Sequence, residues 1–219
     1  MTNIVIIGGH GKVALRLAPL LSQAGDEVTS WIRKQEQVAE VEQTGANAKV
    51  LDIQELSTEQ IADAFEGADA VVWAAGAGGG DPERTWALDR DAAIRSMDAA
   101  EKAGVGRYVM VSYIGAGPDH GVEESDDFYA YAEGKTQADD HLRSTSLRWT
   151  ILGPGALTLE DPSGRITVHA RGERPEDADT SRGNVAHVAK AVLADDTTVH
   201  RTIDFTDGDT PIEEAVAGQ

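Results

Sequence analysis

Near the start of the chain, Ile4-Val5-Ile6-Ile7 runs straight into Gly8-Gly9-His10-Gly11. A short run that is apolar at every residue and ended by glycines reads as a strand buried on both faces. Such a strand needs helices above and below it, which restricts the chain to an α/β layer architecture. Behind the glycines, Val13, Leu17, Leu20 and Leu21 recur at helical spacing. A helix N-terminus offers free N–H donors and the positive end of a dipole. Glycines in the turn let an anion approach closely. Gly9-x-Gly11-x-x-Ala14 and Gly8-x-x-Gly11-x-x-Ala14 both fit the pattern that cradles a dinucleotide pyrophosphate, and both frames stay open. A P-loop is excluded, because Gly11-Lys12 is followed by Val13.

Strands and helices continue to alternate. The first helix spans Lys12 to Ala24, and Glu27–Ile32 is the second strand. A helix from about Gln35 to Gln43 precedes strand Ala48–Leu51. Ser57-x-x-Gln60 is a capping box for a helix running to Phe65. Strand Ala70–Gly76, a flexible glycine loop from Gly76 to Asp81, and a long helix from Pro82 to about Lys102 follow. Then come strand Arg107–Ser112, helix Phe128–Arg143 and strand Arg148–Leu152. Beyond Gly153-Pro154-Gly155 the pattern weakens. It offers strand Arg165–His169, an acidic loop from Glu173 to Asp179, and a helix capped by Ser181 or Asn184 and running to about Leu193. Strand Arg201–Phe205 and a loop or frayed end from Gly208 to Gln219 close the chain. The expected fold is α/β: one domain over 1–219 with a doubly wound parallel sheet, 154–183 and 208–219 adding a small C-terminal, substrate-side cap.

The formal net charge is −19, which disfavours nucleic acid and anionic membranes as partners. Without cysteine there are no disulfides, thiol nucleophiles or thiolate metal sites. None of the six histidines forms a metal-spaced pair, so no metal is expected. The first residues read as a working strand and not as a signal peptide, and no apolar stretch approaches about 18 residues, so the cytoplasm is the expected location.

Cofactor preference is written at the end of the second strand. An acid there accepts from both adenine-ribose hydroxyls, whereas an Arg pairs with a 2′-phosphate. Residues 31 to 35 hold Arg33 and Lys34 and no acid, which favours NADP(H), with NAD(H) possible. Asp52, beside Ile53, could accept from the adenine amino group or cap the next segment. Small residues Ala74, Ala75 and Gly76 let a strand end approach a ribose or simply turn. His10 lies in the phosphate turn, flanked by Lys12 and Val13. Tyr131 and Lys135 stand four apart on one helix face. A nearby ammonium lowers a phenol's pKa, which would let Tyr131 exchange a proton with a carbonyl oxygen. Ser112, at the end of a strand, could hold that oxygen. Glu123-Glu124-Ser125-Asp126-Asp127 lacks the ligand spacing of a calcium loop and reads as a solvated loop over the mouth of the site.

Together these residues resemble the short-chain dehydrogenase/reductase superfamily, and most closely its atypical branch of small NAD(P)-binding proteins, epimerase/dehydratase-like or NmrA-like. The resemblance spans nearly the whole chain. It rests on Gly8-x-x-Gly11-x-x-Ala14, Arg33, Leu51-Asp52, Ala74-Ala75-Gly76, Asp89 to Ile94, Val111-Ser112, Tyr131-x-x-x-Lys135, Thr150 to Leu157 and Thr180 to Ala186. It implies a Rossmann fold. It also implies Ser112, Tyr131 and Lys135 as the catalytic set, with Lys135 binding the nicotinamide ribose as well. Asp89 and Pro154 join the residues that would contact the cofactor. Two positions depart from the family. Asp89 stands where catalytic members carry Asn, and Gly153 where relatives often have an Arg, which removes a cation. The implied activity is an NADP(H)-dependent oxidoreductase, or an epimerase or dehydratase, acting on a small carbonyl or quinone as a monomer or homodimer. The alternative is a non-catalytic NADP(H)-binding redox sensor.

Overall fold

The computed structural model describes residues 1–78, 81–173, 175–176 and 178–218. The expected loops Gly76–Asp81 and Glu173–Asp179 each include residues outside that set, 79 and 80 in the first and 174 and 177 in the second. The chain runs β1 (Asn3–Ile7), α1 (Ala14–Gln23), β2 (Glu27–Ile32), α2 (Val38–Glu42), β3 (Asn47–Val50), α3 (Thr58–Ala64) and β4 (Ala70–Trp73). It continues α4 (Pro82–Thr85), α5 (Ala93–Ala103), β5 (Arg107–Val111), α6 (Tyr129–Ser144), β6 (Trp149–Pro154), β7 (Ala156–Thr158) and β8 (Arg165–His169). The last elements are β9 (Asp179–Ser181), α7 (Arg182–Ala194), β10 (Arg201–Asp207), β11 (Thr210–Pro211) and α8 (Ile212–Ala217).

Nine strands form one sheet in the order β11-β8-β10-β6-β5-β4-β1-β2-β3. The seven from β10 to β3 are parallel, while β8 runs antiparallel to β10 and β11. The chain winds outward from β1 in both directions, as a Rossmann fold does. Alternation within the opening run explains why it is apolar throughout. Ile4 and Ile6 pack with α1, α7 and α8 on one face, whereas Val5 and Ile7 pack with α3, α5 and α6 on the other. Ser57 caps α3, its hydroxyl accepting from the Gln60 amide as the box predicts.

Two stretches differ from expectation. The long helix over Pro82–Ala103 carries a π-helical segment at Trp86–Ala92. Asp89 lies within this segment and is fully buried. The C-terminal stretch is neither frayed nor a cap over the site. After β11 pairs with β8, α8 buries Ile212, Ala215 and Val216 in the core cluster that also holds α7. Residues 208–218 therefore close the far edge of the sheet. Of the expected 154–183 cap, β8 belongs to the main sheet, and β7 pairs with β9 in a small separate sheet.

Candidate functional site

The parallel strands end along one edge, and two clefts open there. The first, of about 230 Å³, is walled by the glycine turn, the ends of β2 and β4, and α4. Gly8 has φ of +83°, and a Cβ on it would come within 2.6 Å of the Ala75 backbone. A Cβ on Gly9 would lie 2.5 Å from the Ser30 side chain. Both glycines are thus required, and the two sequence frames describe one turn. The Gly9 amide donates to the Trp31 carbonyl (2.8 Å) and the Gly11 amide to the Gly8 carbonyl (2.8 Å). The amides of Lys12, Val13 and Ala14 find no carbonyl partner among the described residues. A cradle without side chains, lined by free N–H groups at a helix start, fits a pyrophosphate.

Of the expected cofactor residues, Gly8, His10, Gly11, Arg33, Ile53, Ala74, Ala75 and Gly76 line this cleft. Others lie elsewhere. Val13 is buried in the core, and the Lys12 side chain is exposed. Lys34 is exposed and pairs with Glu36 at 3.4 Å. Asp52 caps its own turn, Oδ1 accepting from the Gln54 amide at 3.1 Å. His10 is held across the turn, with Nε2 2.7 Å from Glu40 Oε2 and Nδ1 3.1 Å from Gln37 Nε2. Arg84 on α4 also lines the cleft. The sequence gives no signal for it, because only the fold brings α4 back over β1. Neither Arg33 nor Arg84 has a carboxylate partner among the described residues.

The second cleft, of about 670 Å³, begins two residues beyond Gly76, at Gly78. Its walls include Thr85, Ser112, Tyr113, Phe128, Tyr131, Pro154 and Leu157. Tyr113, Phe128 and Tyr131 form an aromatic cluster with ring centroids 5.2 to 5.5 Å apart. Asp81 and Asp127 are the charged residues in the described wall, which contains no Lys, Arg or His. Asp127 and Phe128 bring the end of the acidic loop to the cleft.

Ser112, Tyr131 and Lys135 lie close together, but not with the expected electrostatics. Lys135 is buried and lines neither cleft. Its ammonium donates to the Val111 carbonyl (3.1 Å) and sits 3.3 Å from Asp89 Oδ1. The other Asp89 oxygen accepts from the Ala77 amide at 3.0 Å. Lys135 Nζ is 5.9 Å from the Tyr131 ring centroid. Burial, then Asp89 and Asp139, push the Tyr131 phenol above its ordinary value. The expected lowering by Lys135 is thus corrected: Asp89, an anion where the resemblance implies an amide, already occupies the ammonium.

The Ser112 hydroxyl donates to Asp139 Oδ2 at 2.6 Å. Asp139 is fully buried, and burial pushes its carboxyl up to about 6 despite the Ser112 hydrogen bond and the cations Lys135, Arg143 and Arg171. Sequence reasoning missed it, although Tyr131, Lys135 and Asp139 at i, i+4 and i+8 share one helix face. Gly153 also has a local explanation. A Cβ there would overlap Asp204 Oδ1. Arg171, from beyond β8, pairs with Asp204 Oδ2 at 3.2 Å and donates to the Ala116 carbonyl at 2.6 Å. A guanidinium thus reaches this neighbourhood from a different part of the chain.

The profile of the NAD(P)H-binding family matches residues 8–196. The chain belongs to that family. The Bacillus subtilis protein YhfK, described as an uncharacterized sugar epimerase, is 35% identical over 216 residues, covering 98% of each chain. A solved Bacillus halodurans structure, assigned as an NAD-dependent epimerase/dehydratase, superposes with TM-score 0.91 at 32% identity and covers 100% of both chains. The oxidoreductase ylbE from Lactococcus lactis superposes with TM-score 0.86 at 30% identity, covering 99% of this chain and 96% of that one. This NAD(P)H-binding protein therefore has the Rossmann fold of epimerase- and oxidoreductase-like relatives. Among its described residues no helix is long and apolar enough to cross a membrane.

Proposed function

We propose that this NAD(P)H-binding protein is an NADP(H)-dependent oxidoreductase that reduces a small, uncharged carbonyl or quinone. One juxtaposition carries the reading: a dinucleotide cleft and a larger, aromatic-walled cleft share the strand-end edge, separated by the short step from Gly76 to Gly78. The bound nicotinamide would supply the hydride, and this chain supplies orientation and the proton. Arg33 and Arg84, both without carboxylate partners among the described residues, support the 2′-phosphate preference. The second cleft supports the substrate class. Its aromatic wall suits a planar apolar molecule, and its two carboxylates repel an anion. A nucleotide-linked sugar carries a diphosphate that no cation among the described residues of this wall meets, which favours the smaller uncharged substrate over a sugar nucleotide.

Nicotinamide fluorescence titrations with NADPH and NADH, followed by NADPH oxidation across a panel of quinones and small carbonyls, test the reading. Tighter NADPH binding that Arg33→Ala weakens by about tenfold while leaving NADH binding intact, as losing a charge-assisted pair implies, is the expected result. NADH binding more tightly than NADPH overturns the cofactor assignment. NADPH binding with no acceptor reduced favours the sensor alternative, for which the engaged Lys135 and the raised Tyr131 phenol are the structural argument.

A further inference from the structure

Ser112 is held between two environments. The residue lines the aromatic cleft, and its hydroxyl donates to Asp139 at 2.6 Å. Asp139 is sealed behind it, and its second oxygen has no hydrogen-bond partner among the described residues. Burying a carboxyl this deeply is costly. Among the described residues its side chain hydrogen-bonds to Ser112 and makes neither a helix cap nor a direct salt bridge.

We propose that Asp139 is the proton reservoir behind Ser112, and that Ser112 donates to the oxygen of the substrate. The proposal rests on the oxidoreductase reading above. The logic is the number of hydrogens. When Asp139 is ionised, the single Ser112 proton is committed to it, and the serine presents only lone pairs to the cleft. When Asp139 is protonated, its O–H donates to Ser112 Oγ, and the serine O–H turns to the cleft as a donor. In reduction, the carbonyl carbon gains a hydride from the reduced nicotinamide, and a C–H bond forms. The C=O π pair moves to oxygen, which takes the Ser112 proton. Ser112 takes the Asp139 proton, leaving oxidised nicotinamide, an alcohol and the Asp139 carboxylate. After release, cleft water returns one proton through Ser112.

The surroundings suit this role. Lys135 and Arg143 on α6, and Arg171 beyond β8, favour the carboxylate, while burial favours the acid. Asp89 neutralises Lys135 from the π-helical segment, and Asp204 neutralises Arg171 from β10. The Tyr131 phenol lies near and stays protonated. Burial wins, and a carboxyl pushed up to about 6 is populated in both forms near neutral pH. Tyr131, in the same wall, offers a second hydrogen bond to that oxygen.

The test compares wild type with Asp139→Asn and Ser112→Ala in NADPH oxidation from pH 5 to 9, using an acceptor from the same panel. It also follows the Asp139 carboxyl carbon by NMR in the nucleotide-free protein. Asn keeps the volume and hydrogen bond but holds no transferable proton. Wild-type kcat/KM should fall with rising pH along a limb near 6. Both variants should lose that limb and about 10²-fold in rate at pH 6, and the double variant should be no slower than either single one. The Asp139 resonance should titrate near 6. A resonance that titrates at an ordinary carboxyl value overturns the proposal whatever the substrate. So does turnover with the same pH limb in Asp139→Asn. Wild type that oxidises no NADPH removes the oxidoreductase reading and the proposal with it.

Discussion

Lys135→Met removes the cation of the most deeply buried ion pair among the described residues and keeps the aliphatic stem. Lys135 is 2% and Asp89 0% exposed, with Nζ and Oδ1 3.3 Å apart. In the variant, the Asp89 carboxylate stays buried with one remaining donor, the Ala77 amide. Stranding one partner of a buried pair costs about 3–5 kcal/mol, because the desolvation already incurred is no longer offset. In a domain of this size each kcal/mol moves Tm by about 2–4 °C, so a drop of roughly 6–20 °C is expected. Urea unfolding and thermal melts would measure it. Asp89→Asn combined with Lys135→Met removes both charges, keeps an acceptor for Ala77, and should return to within about 1–2 kcal/mol of wild type. Equal losses in the double and single variants, or a single loss under about 1 kcal/mol, would refute Lys135 as a structural counter-ion. Its position would then have to be explained by ligand contacts.

Asp139→Asn should change how stability depends on pH. A carboxyl whose folded pKa is raised holds its proton more tightly in the folded state. That contribution is complete below about pH 4, the ordinary carboxyl range, and is lost as pH rises through about 6. The two-unit rise amounts to about 3 kcal/mol, so wild type should lose that much relative to Asp139→Asn between about pH 4 and 6 in urea titrations. A difference that is constant with pH would count against the buried acid. Gly153→Ala drives a methyl into Asp204. It should cost about 1–3 kcal/mol by overpacking, measured by urea unfolding, and a neutral result would show that Asp204 and Arg171 can move aside. Gly9→Ala should weaken NADPH binding and lower Tm together, because its Cβ meets Ser30, 2.5 Å away. Unchanged binding would mean that the turn relaxes freely.

Much of this protein is local and therefore legible in one dimension. Ile4 to Ile7 alternate between two helical layers, so each must be apolar, and the run announces a doubly covered strand. Gly8 and Gly9 are set by a positive φ and by contacts with strand ends, which leave their mark as missing side chains. The Ser57 box closes within four residues. Most strand positions could be placed within a few residues for the same reason. The tertiary structure decided what depends on partners distant in sequence. Ser112 meets Asp139 across 27 positions, and Arg171 meets Asp204 across 33. Lys135 was visible as a cation four residues after Tyr131, but Asp89, which engages it, comes from the distant π-helical segment. The short α8 has too few residues to hold itself helical and forms by burying Ile212, Ala215 and Val216 against the sheet. A sequence records which residue types a backbone position tolerates. Which charge a buried lysine answers to, and which carboxylate a serine donates its hydrogen bond to, follow only once folding has brought distant residues together and removed water from around them.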